Sequence, residues 1–126
     1  MNQLPDTNVL INYFEGKEPD KSLVIDLITE DKLAISPITI AELRPGNSKE
    51  EAGQLDALIA SGTVFPVNTE IGLQAGIYRQ EFSRKTKKVY VIDCLVAATC
   101  KLHNLTLVTN NTKDYPMKDI KILKPS

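Results

Sequence analysis

Residues 93–109, DCLVAATCKLHNLTLVT, decide the fold of this chain. The first part, residues 93–103, carries small and apolar side chains at helical spacing, which predicts a helix buried against a sheet. The second part, Leu105-Thr106-Leu107-Val108-Thr109, is a short apolar run that predicts a strand. A buried helix followed directly by a strand is typical of the crossover units of parallel sheets.

The same alternation extends outward from this stretch. Further strands are predicted at residues 3–5, 33–36, 64–67 and 120–123. Further helices are predicted at residues 8–14, 23–28, 39–43, 48–60 and 69–84. Pro5 is acceptable only at a strand end or an edge, and Ser48 with Glu51 forms a capping-box pattern before the fourth helix. We therefore predict an α/β fold in three layers, α/β/α, with a mainly parallel central sheet of about five short strands.

Length and composition bound the class of protein. The chain has 126 residues, 42% of them hydrophobic, and no linker or repeat divides it, so we expect one domain over residues 1–126. This composition argues against disorder, and no apolar run reaches the ~18 residues of a membrane span. Cys94 and Cys100 are too few for a disulfide scaffold, and the start lacks a secretion-signal pattern. We therefore expect a cytoplasmic protein.

The charges nearly cancel, with 15 Lys and Arg against 16 Asp and Glu. That balance alone argues against a general nucleic-acid binder, which would be basic. The halves differ, however: residues 1–63 hold 5 basic and 11 acidic groups, whereas residues 64–126 hold 10 basic and 5 acidic groups. The bases concentrate at Arg79, Arg84, Lys85, Lys87 and Lys88. They either complement the dipole of a helix end or contact the phosphates of a nucleic acid, and both interpretations stay open.

Polar side chains fall at the predicted junctions between strands and helices, and four places stand out: Asp6, Glu42, Asp93 and the segment 109–114. Each has an ordinary structural explanation. Asp6 and Asp93 suit helix N-caps, Glu42 faces solvent or lies half-buried, and the segment 109–114 suits a turn. In open parallel sheets, however, ligands bind beyond the carboxyl ends of the strands, so these groups are expected to converge.

Clustered carboxylates repel one another unless a cation neutralises their charge. Oxygen ligands of this kind suit Mg²⁺ or Mn²⁺, which can activate a bound water and stabilise charge on a phosphate being cleaved. No other group suggests catalysis: His103 is the single histidine and falls at a predicted helix end, and no glycine-rich phosphate loop occurs. Cys94 and Cys100 lack a metal-ligand pattern and are expected in the core.

Four blocks of sequence resemble those of PIN-domain proteins, in the same order along the chain. They are PDTNVLI at residues 5–11, ITIAEL at 38–43, IDCLVAAT at 92–99 and LVTNNTKDY at 107–115. Together they extend over essentially the whole chain. Among PIN-domain proteins the chain most resembles the VapC-type toxin ribonucleases of bacterial and archaeal toxin–antitoxin pairs.

This resemblance implies a metal-dependent endoribonuclease that hydrolyses RNA phosphodiester bonds. Its metal ligands are implied to be Asp6, Glu42 and Asp93, with Mg²⁺ as the ion and Mn²⁺ as the alternative. The basic residues between Arg79 and Lys88 would then guide the RNA backbone towards the acidic site. The resemblance also implies a homodimer, and inhibition by a cognate antitoxin protein whose tail lies across the active-site groove.

Three further positions are matched less uniformly. Asn8 resembles the family's asparagine that steadies the first aspartate, and Thr109 resembles its polar residue at the fourth strand end. The chain departs from the family at Asn111, where many relatives carry an acid. Asp114 is the candidate for this fourth acidic role, directly or through water.

Two other functions are alternatives to the nuclease. The first is a PIN-fold module that binds RNA or protein with weak catalysis or none, for which Asn111 leaves room. The second is a phosphoryl-handling α/β domain. Receiver domains carry an acidic pair after the first strand, where Asp6 stands alone, and haloacid-dehalogenase-like phosphatases carry a second Asp at the position of Asn8. The second reading therefore fits poorly.

Overall fold

The computed structural model describes residues 2–44, 48–83 and 89–125. Its strands are β1 (Gln3–Pro5), β2 (Ala34–Ile35), β3 (Thr63–Val64), β4 (Thr106–Val108) and β5 (Lys121–Leu123). Its helices are α1 (Thr7–Phe14), α2 (Asp20–Thr29), α3 (Pro37–Leu43), α4 (Lys49–Ser61), α5 (Thr69–Phe82) and α6 (Val91–His103). A short 3₁₀ turn, Thr112–Asp114, lies between β4 and β5. Within these ranges no helix is long and apolar enough to cross a membrane.

The strands form a parallel sheet. β1 pairs with β4, β4 pairs with β5, and β2 pairs with β3, all in parallel. A parallel bridge between Gln3 and Leu33 joins the two groups, so the strand order is β3-β2-β1-β4-β5. Pro5 is the last residue of β1, in agreement with its predicted place at a strand end. The predicted parallel sheet is confirmed.

Helices cover both faces of this sheet because alternate strand residues point to opposite sides. In β2, Ala34 packs in one core cluster with residues of α5 and α6. Its neighbours Leu33 and Ile35 pack in the other cluster, with residues of α1, α2, α3 and α4. Leu107 and Val108 of β4 divide between the two clusters in the same way. The three-layer α/β/α arrangement follows from this division.

Local signals place several helix starts as predicted. The Ser48 hydroxyl accepts a hydrogen bond from the Glu51 amide at 3.2 Å, and the Glu51 carboxylate accepts one from the Ser48 amide at 3.1 Å. This reciprocal pair is the predicted capping box at the start of α4. Asp6 caps α1 as expected, because its side chain accepts a hydrogen bond from the Val9 amide.

Several boundaries differ from the prediction by one to three residues, and the largest consequences concern β3 and α6. β3 ends at Val64 rather than continuing to residue 67, because its partner β2 ends at Ile35, whose carbonyl accepts the last ladder bond from the Phe65 amide, and α3 begins at Pro37. Helix α6 begins at Val91 with Tyr90 as its N-cap, so the interpretation of Asp93 as an N-cap, one of the two considered for it, is wrong. Val91 and Ile92 are exposed and extend the helix, so Asp93 belongs to its first turn.

Candidate active site

Asp6 lies where β1 passes into α1 and is almost buried, with 7% of its surface exposed. Its Oδ1 accepts a hydrogen bond from the Val9 amide at 3.0 Å, and its Oδ2 accepts one from the Thr109 hydroxyl at 2.5 Å. Burial raises the pKa of this carboxyl, although the hydrogen bonds from Thr109 and the helix amides act in the opposite direction. Both oxygens are therefore held in place by the protein.

Asp93 projects from the first turn of α6 and is half-buried. Burial, and after it the negative charge of Asp114, raises its pKa to about 6. Asp6 and Glu42 add to this rise, whereas a hydrogen bond from the Tyr115 hydroxyl, 3.4 Å from Oδ1, opposes it. Asp6, Glu42 and Asp114 thus all disfavour the ionised form of Asp93.

Glu42 lies on α3 and is exposed, one of the two environments considered for it. Its Oε1 accepts a hydrogen bond from the hydroxyl of Thr7, the first residue of α1. The contact spans two helices, so it orients the Glu42 side chain towards the end of β1. Sequence reasoning assigned no role to Thr7, although Thr7 directly follows Asp6 in the first of the four blocks.

The segment that follows β4 contributes the fourth acidic residue, Asp114. Thr109 is fully buried, and its hydroxyl, besides donating to Asp6, accepts a hydrogen bond from the Asn111 amide at 3.0 Å. Asp114 ends the 3₁₀ turn and is exposed. Tyr115 follows it with a buried ring and a hydroxyl directed at Asp93. Sequence reasoning quoted Tyr115 in the fourth block without giving it a role.

These side chains line one cleft of about 130 Å³. We call it the acidic cleft because four acidic residues line it: Asp6, Glu42, Asp93 and Asp114. Asn8 and Asn111 line it as well, and Thr109 lies behind Asp6. The structure thus brings together the acidic and supporting residues singled out in the sequence. Asp93 lies on helix α6 rather than at the end of a strand.

The chemistry of the acidic cleft suits a hard divalent cation. No described residue that lines it is basic, so the carboxylates have no partner of opposite charge among the described lining residues. In the described part of the chain, no three acidic, cysteine or histidine side chains are arranged as a group that could hold a metal ion by themselves. An open site with carboxylate oxygens fits Mg²⁺, because this ion takes one or two carboxylates and keeps several waters.

The remaining candidates lie outside the cleft. Arg79 is exposed in the last turn of α5, as a cation complementing the helix dipole would be. The other predicted RNA-contacting residues, Arg84, Lys85, Lys87 and Lys88, fall outside the described residues. Cys94 and Cys100 are buried free thiols, which confirms their place in the core. His103 ends α6, with its ring centroid 4.9 Å from that of Phe65.

The fold and the cleft define a class of protein. The family model of the PIN domain matches residues 4–121, so the chain belongs to the PIN domain family. A chain in the DNA-bound VapBC structure from Salmonella typhimurium has the same fold, with a TM-score of 0.82 at 23% identity and complete coverage of both chains. The resemblance recognised in the four sequence blocks is confirmed.

Similar proteins of known name indicate to which part of the PIN domain family the chain belongs. Ribonuclease VapC10 of Mycobacterium tuberculosis is 31% identical over 114 residues, covering 90% of this chain and 86% of that protein. Ribonuclease VapC2 of Rickettsia felis is 30% identical and covers 87% of each. A toxin–antitoxin complex from Klebsiella pneumoniae contains a similar chain, with a TM-score of 0.80, 28% identity and coverage of 99% of this chain and 98% of that one. Within the PIN domain family, the chain belongs to the family of VapC toxin ribonucleases.

Proposed function

We propose that this protein is a Mg²⁺-dependent endoribonuclease that hydrolyses RNA phosphodiester bonds as the toxin of a toxin–antitoxin pair. The observation that carries the proposal is the convergence of four carboxyl groups on one cleft without a described basic residue. Their mutual repulsion contributes to the pKa of about 6 at Asp93. A divalent cation would relieve this repulsion, and Mn²⁺ could replace Mg²⁺ in that role.

Asp6, Glu42 and Asp93 would hold the metal. When bound, a divalent ion supplies an activated water and neutralises charge on the phosphate. The protein orients two of these ligands before any ion arrives, because Thr109 and the Val9 amide restrain Asp6 while Thr7 restrains Glu42. Such preorganisation reduces the reorganisation needed during the reaction.

The other cleft residues would place the RNA and complete the acidic set. The Asn8 and Asn111 side chains can donate to phosphate oxygens, since each amide carries two N–H groups. Asp114 would act as the fourth acidic group, directly or through water. Arg79 lowers the pKa of Cys94, the neighbour of Asp93, against the larger effect of burial, which supports a role for this cation near α6. Together with the basic residues Arg84, Lys85, Lys87 and Lys88, Arg79 would guide the RNA backbone.

A cavity beside the acidic cleft supports an antitoxin partner. It measures about 220 Å³, shares Glu42 with the cleft, and is lined by Ile11, Phe14 and Leu43. An antitoxin tail lying across this cavity would bury apolar surface and block access to the carboxylates. The solved relatives include toxin–antitoxin complexes, which makes an antitoxin the expected occupant.

We also expect a homodimer in the cytoplasm. Leu73 and Ile77 lie one turn apart on α5 and are 66% and 55% exposed, an apolar surface that a second copy would cover. The free thiols of Cys94 and Cys100 suit a reducing compartment. Light scattering of wild type and a Leu73→Glu variant measures the oligomer, and an unchanged dimer mass in the variant would place the interface elsewhere.

The decisive experiment compares single-residue variants with a matched control. Asp6→Asn and Asp93→Asn keep side-chain shape while removing charge from the cleft. Asp56→Asn makes the same change at an exposed residue of α4. With Mg²⁺ and a labelled RNA, both cleft variants should lose about 10²- to 10³-fold in rate, as when one stabilising group of an active site is removed. Folded cleft variants that cleave like the control would refute the proposal.

One observation favours the alternative of a PIN-fold module that binds RNA or protein without cleaving it. Asn111 occupies a position where an acid was expected, so the cleft has less negative charge to hold a cation. Titration calorimetry separates the two functions. The nuclease should bind Mg²⁺ in a manner that Asp93→Asn abolishes, whereas RNA binding without Mg²⁺ binding or cleavage would support the module.

A further inference from the structure

Asp20 is a buried acidic residue that the proposed chemistry does not use. It is the first residue of α2 and only 3% exposed. Burying a carboxyl group is costly unless it receives hydrogen bonds. Asp20 receives two, both at Oδ2: the side-chain amide of Asn12 donates at 2.8 Å, and that of Asn110 donates at 2.9 Å. We call these three residues the Asp20 clamp.

The clamp joins three separate parts of the fold. Asn12 belongs to α1, Asp20 to α2, and Asn110 to the segment that leaves β4. One contact therefore fastens helix to helix, and the other fastens a helix to the segment that contributes to the acidic cleft. These two contacts can be tested separately.

Asn110 stands between the two residues that connect this segment to the cleft. On one side, the Thr109 hydroxyl donates to Asp6 Oδ2. On the other side, the Asn111 amide donates to the Thr109 hydroxyl, and Asn111 itself lines the cleft. Because Asn110 is held by Asp20, the backbone that carries both neighbours is restrained at its middle residue.

We propose that Asp20 is a positioning residue of the ribonuclease: through Asn110 it fixes the segment 109–111, and so the orientation of Asp6 and Asn111. The proposal rests on the proposed function, because it concerns the same cleft. Asp20 touches neither metal nor RNA in this role. Loss of a group that orients a metal ligand through hydrogen bonds typically costs about 10- to 100-fold in activity or metal affinity.

The test compares the two arms of the clamp. Asn110→Ala breaks the arm to the cleft, Asn12→Ala breaks the arm to α1, and Asp20→Ala breaks both. Asp26→Ala, at an exposed position of the same helix, is the control. Asn110→Ala and Asp20→Ala should lower kcat by about 10- to 100-fold with little change in the KM for RNA. Asn12→Ala should change the melting temperature more than kcat.

Two further measurements exclude a merely structural effect. Asp20→Asn retains one oxygen that can accept from both amides, so it should recover kcat relative to Asp20→Ala. Hydrogen exchange at the Asn111 amide should accelerate in Asn110→Ala and Asp20→Ala but not in Asn12→Ala. This second readout needs no RNA and no metal.

The possible results are distinct. Equal losses of kcat in Asn12→Ala and Asn110→Ala, or unchanged exchange at Asn111 in folded Asp20→Ala, would overturn the positioning role. If Asp20→Ala does not fold, Asn110→Ala decides, because it leaves the contact between α1 and α2 intact. If the wild type does not cleave RNA, the proposed function fails, and the exchange of Asn111 still decides whether Asp20 positions the segment.

Discussion

The acidic cleft and the Asp20 clamp place carboxyl groups in opposite situations. In the clamp, two amide groups donate to Asp20 at 2.8 and 2.9 Å, so a buried acceptor is satisfied by the protein. In the cleft, the Tyr115 hydroxyl lies 3.4 Å from Asp93, a long hydrogen bond, and burial with neighbouring acids raises the Asp93 pKa to about 6. Asp20, whose carboxylate the protein satisfies, thus serves as a structural anchor, whereas Asp93, which lies among other acids, is a candidate for binding a cation.

Removal of divalent metal should produce the largest contrast between the two regions. Treatment with EDTA should abolish RNA cleavage, and added Mg²⁺ should restore it, because the cleft offers its carboxylates no described basic partner. The clamp needs no ion, so the melting temperature of the chelated protein should respond to Asp20→Ala as that of the loaded protein does. Cleavage of a labelled RNA at full rate by metal-free protein would contradict the assignment of the cleft.

Loss of the Asp20 carboxyl group should have the next largest effect. Asp20→Ala leaves the Asn12 and Asn110 amides without their acceptor, so the free energy of unfolding should fall by about 1–3 kcal/mol. Urea denaturation measures the change. Asp26→Ala on the same helix should stay within about 0.5 kcal/mol of wild type, as exposed substitutions usually do. Equal stability of the two variants would show that the clamp contributes nothing to the fold.

Neutralising Asp93 should have the opposite effect and raise the free energy of unfolding. Its folded-state pKa of about 6 lies above the ordinary 3.8, so protonation favours the folded state. That contribution is complete below about pH 4 and is lost as the pH rises through about 6. In metal-free protein at pH 7, Asp93→Asn should therefore raise the unfolding free energy by on the order of 1 kcal/mol, after allowance for partial solvent screening.

The pH dependence provides the control for this third prediction. The stability difference between Asp93→Asn and wild type should grow between pH 5 and pH 7 in urea titrations without metal, the two values being roughly one unit on either side of the Asp93 pKa. A difference that is constant across this range would show that Asp93 ionisation does not oppose folding.

The smallest effect should follow removal of the Tyr115 hydroxyl. Its hydrogen bond lowers the Asp93 pKa against the larger effects of burial and Asp114, so Tyr115→Phe should raise that pKa further. The pKa can be followed by NMR titration of the Asp93 side-chain carboxyl carbon. Tyr78→Phe is the matched control, because the Tyr78 hydroxyl donates to Asp119 at 2.8 Å instead. An equal Asp93 pKa in both variants would exclude Tyr115 as its hydrogen-bond donor.

Prediction from sequence succeeded where the signal is local. The capping box of Ser48 and Glu51 lies within four consecutive residues, and the N-cap at Asp6 depends on an amide three residues later. The start of α6 was predicted too late, because Val91 and Ile92 are β-branched residues that favour strands. In the structure they are exposed on a helix, with Tyr90 as the N-cap.

The candidate site was partly predictable for a related reason. Asp6 and the segment 109–114 could be placed at one edge of the sheet, since parallel strands β1 and β4 end on the same side. Thr7 and Tyr115 gained their roles from contacts with Glu42 and Asp93, which lie 35 and 22 positions away. No local pattern specifies such contacts.

The sequence by itself determined the alternation of strands and helices, the layers of the fold and the acidic residues at its junctions. These properties follow from periodicity, capping and strand direction, which act over a few residues. Tertiary structure alone decided which acid receives short hydrogen bonds from the protein and which lies among other acids. Asp20 resembles any surface carboxylate in the sequence, and it becomes an anchor only because folding brings Asn110, 90 positions away, within hydrogen-bonding distance.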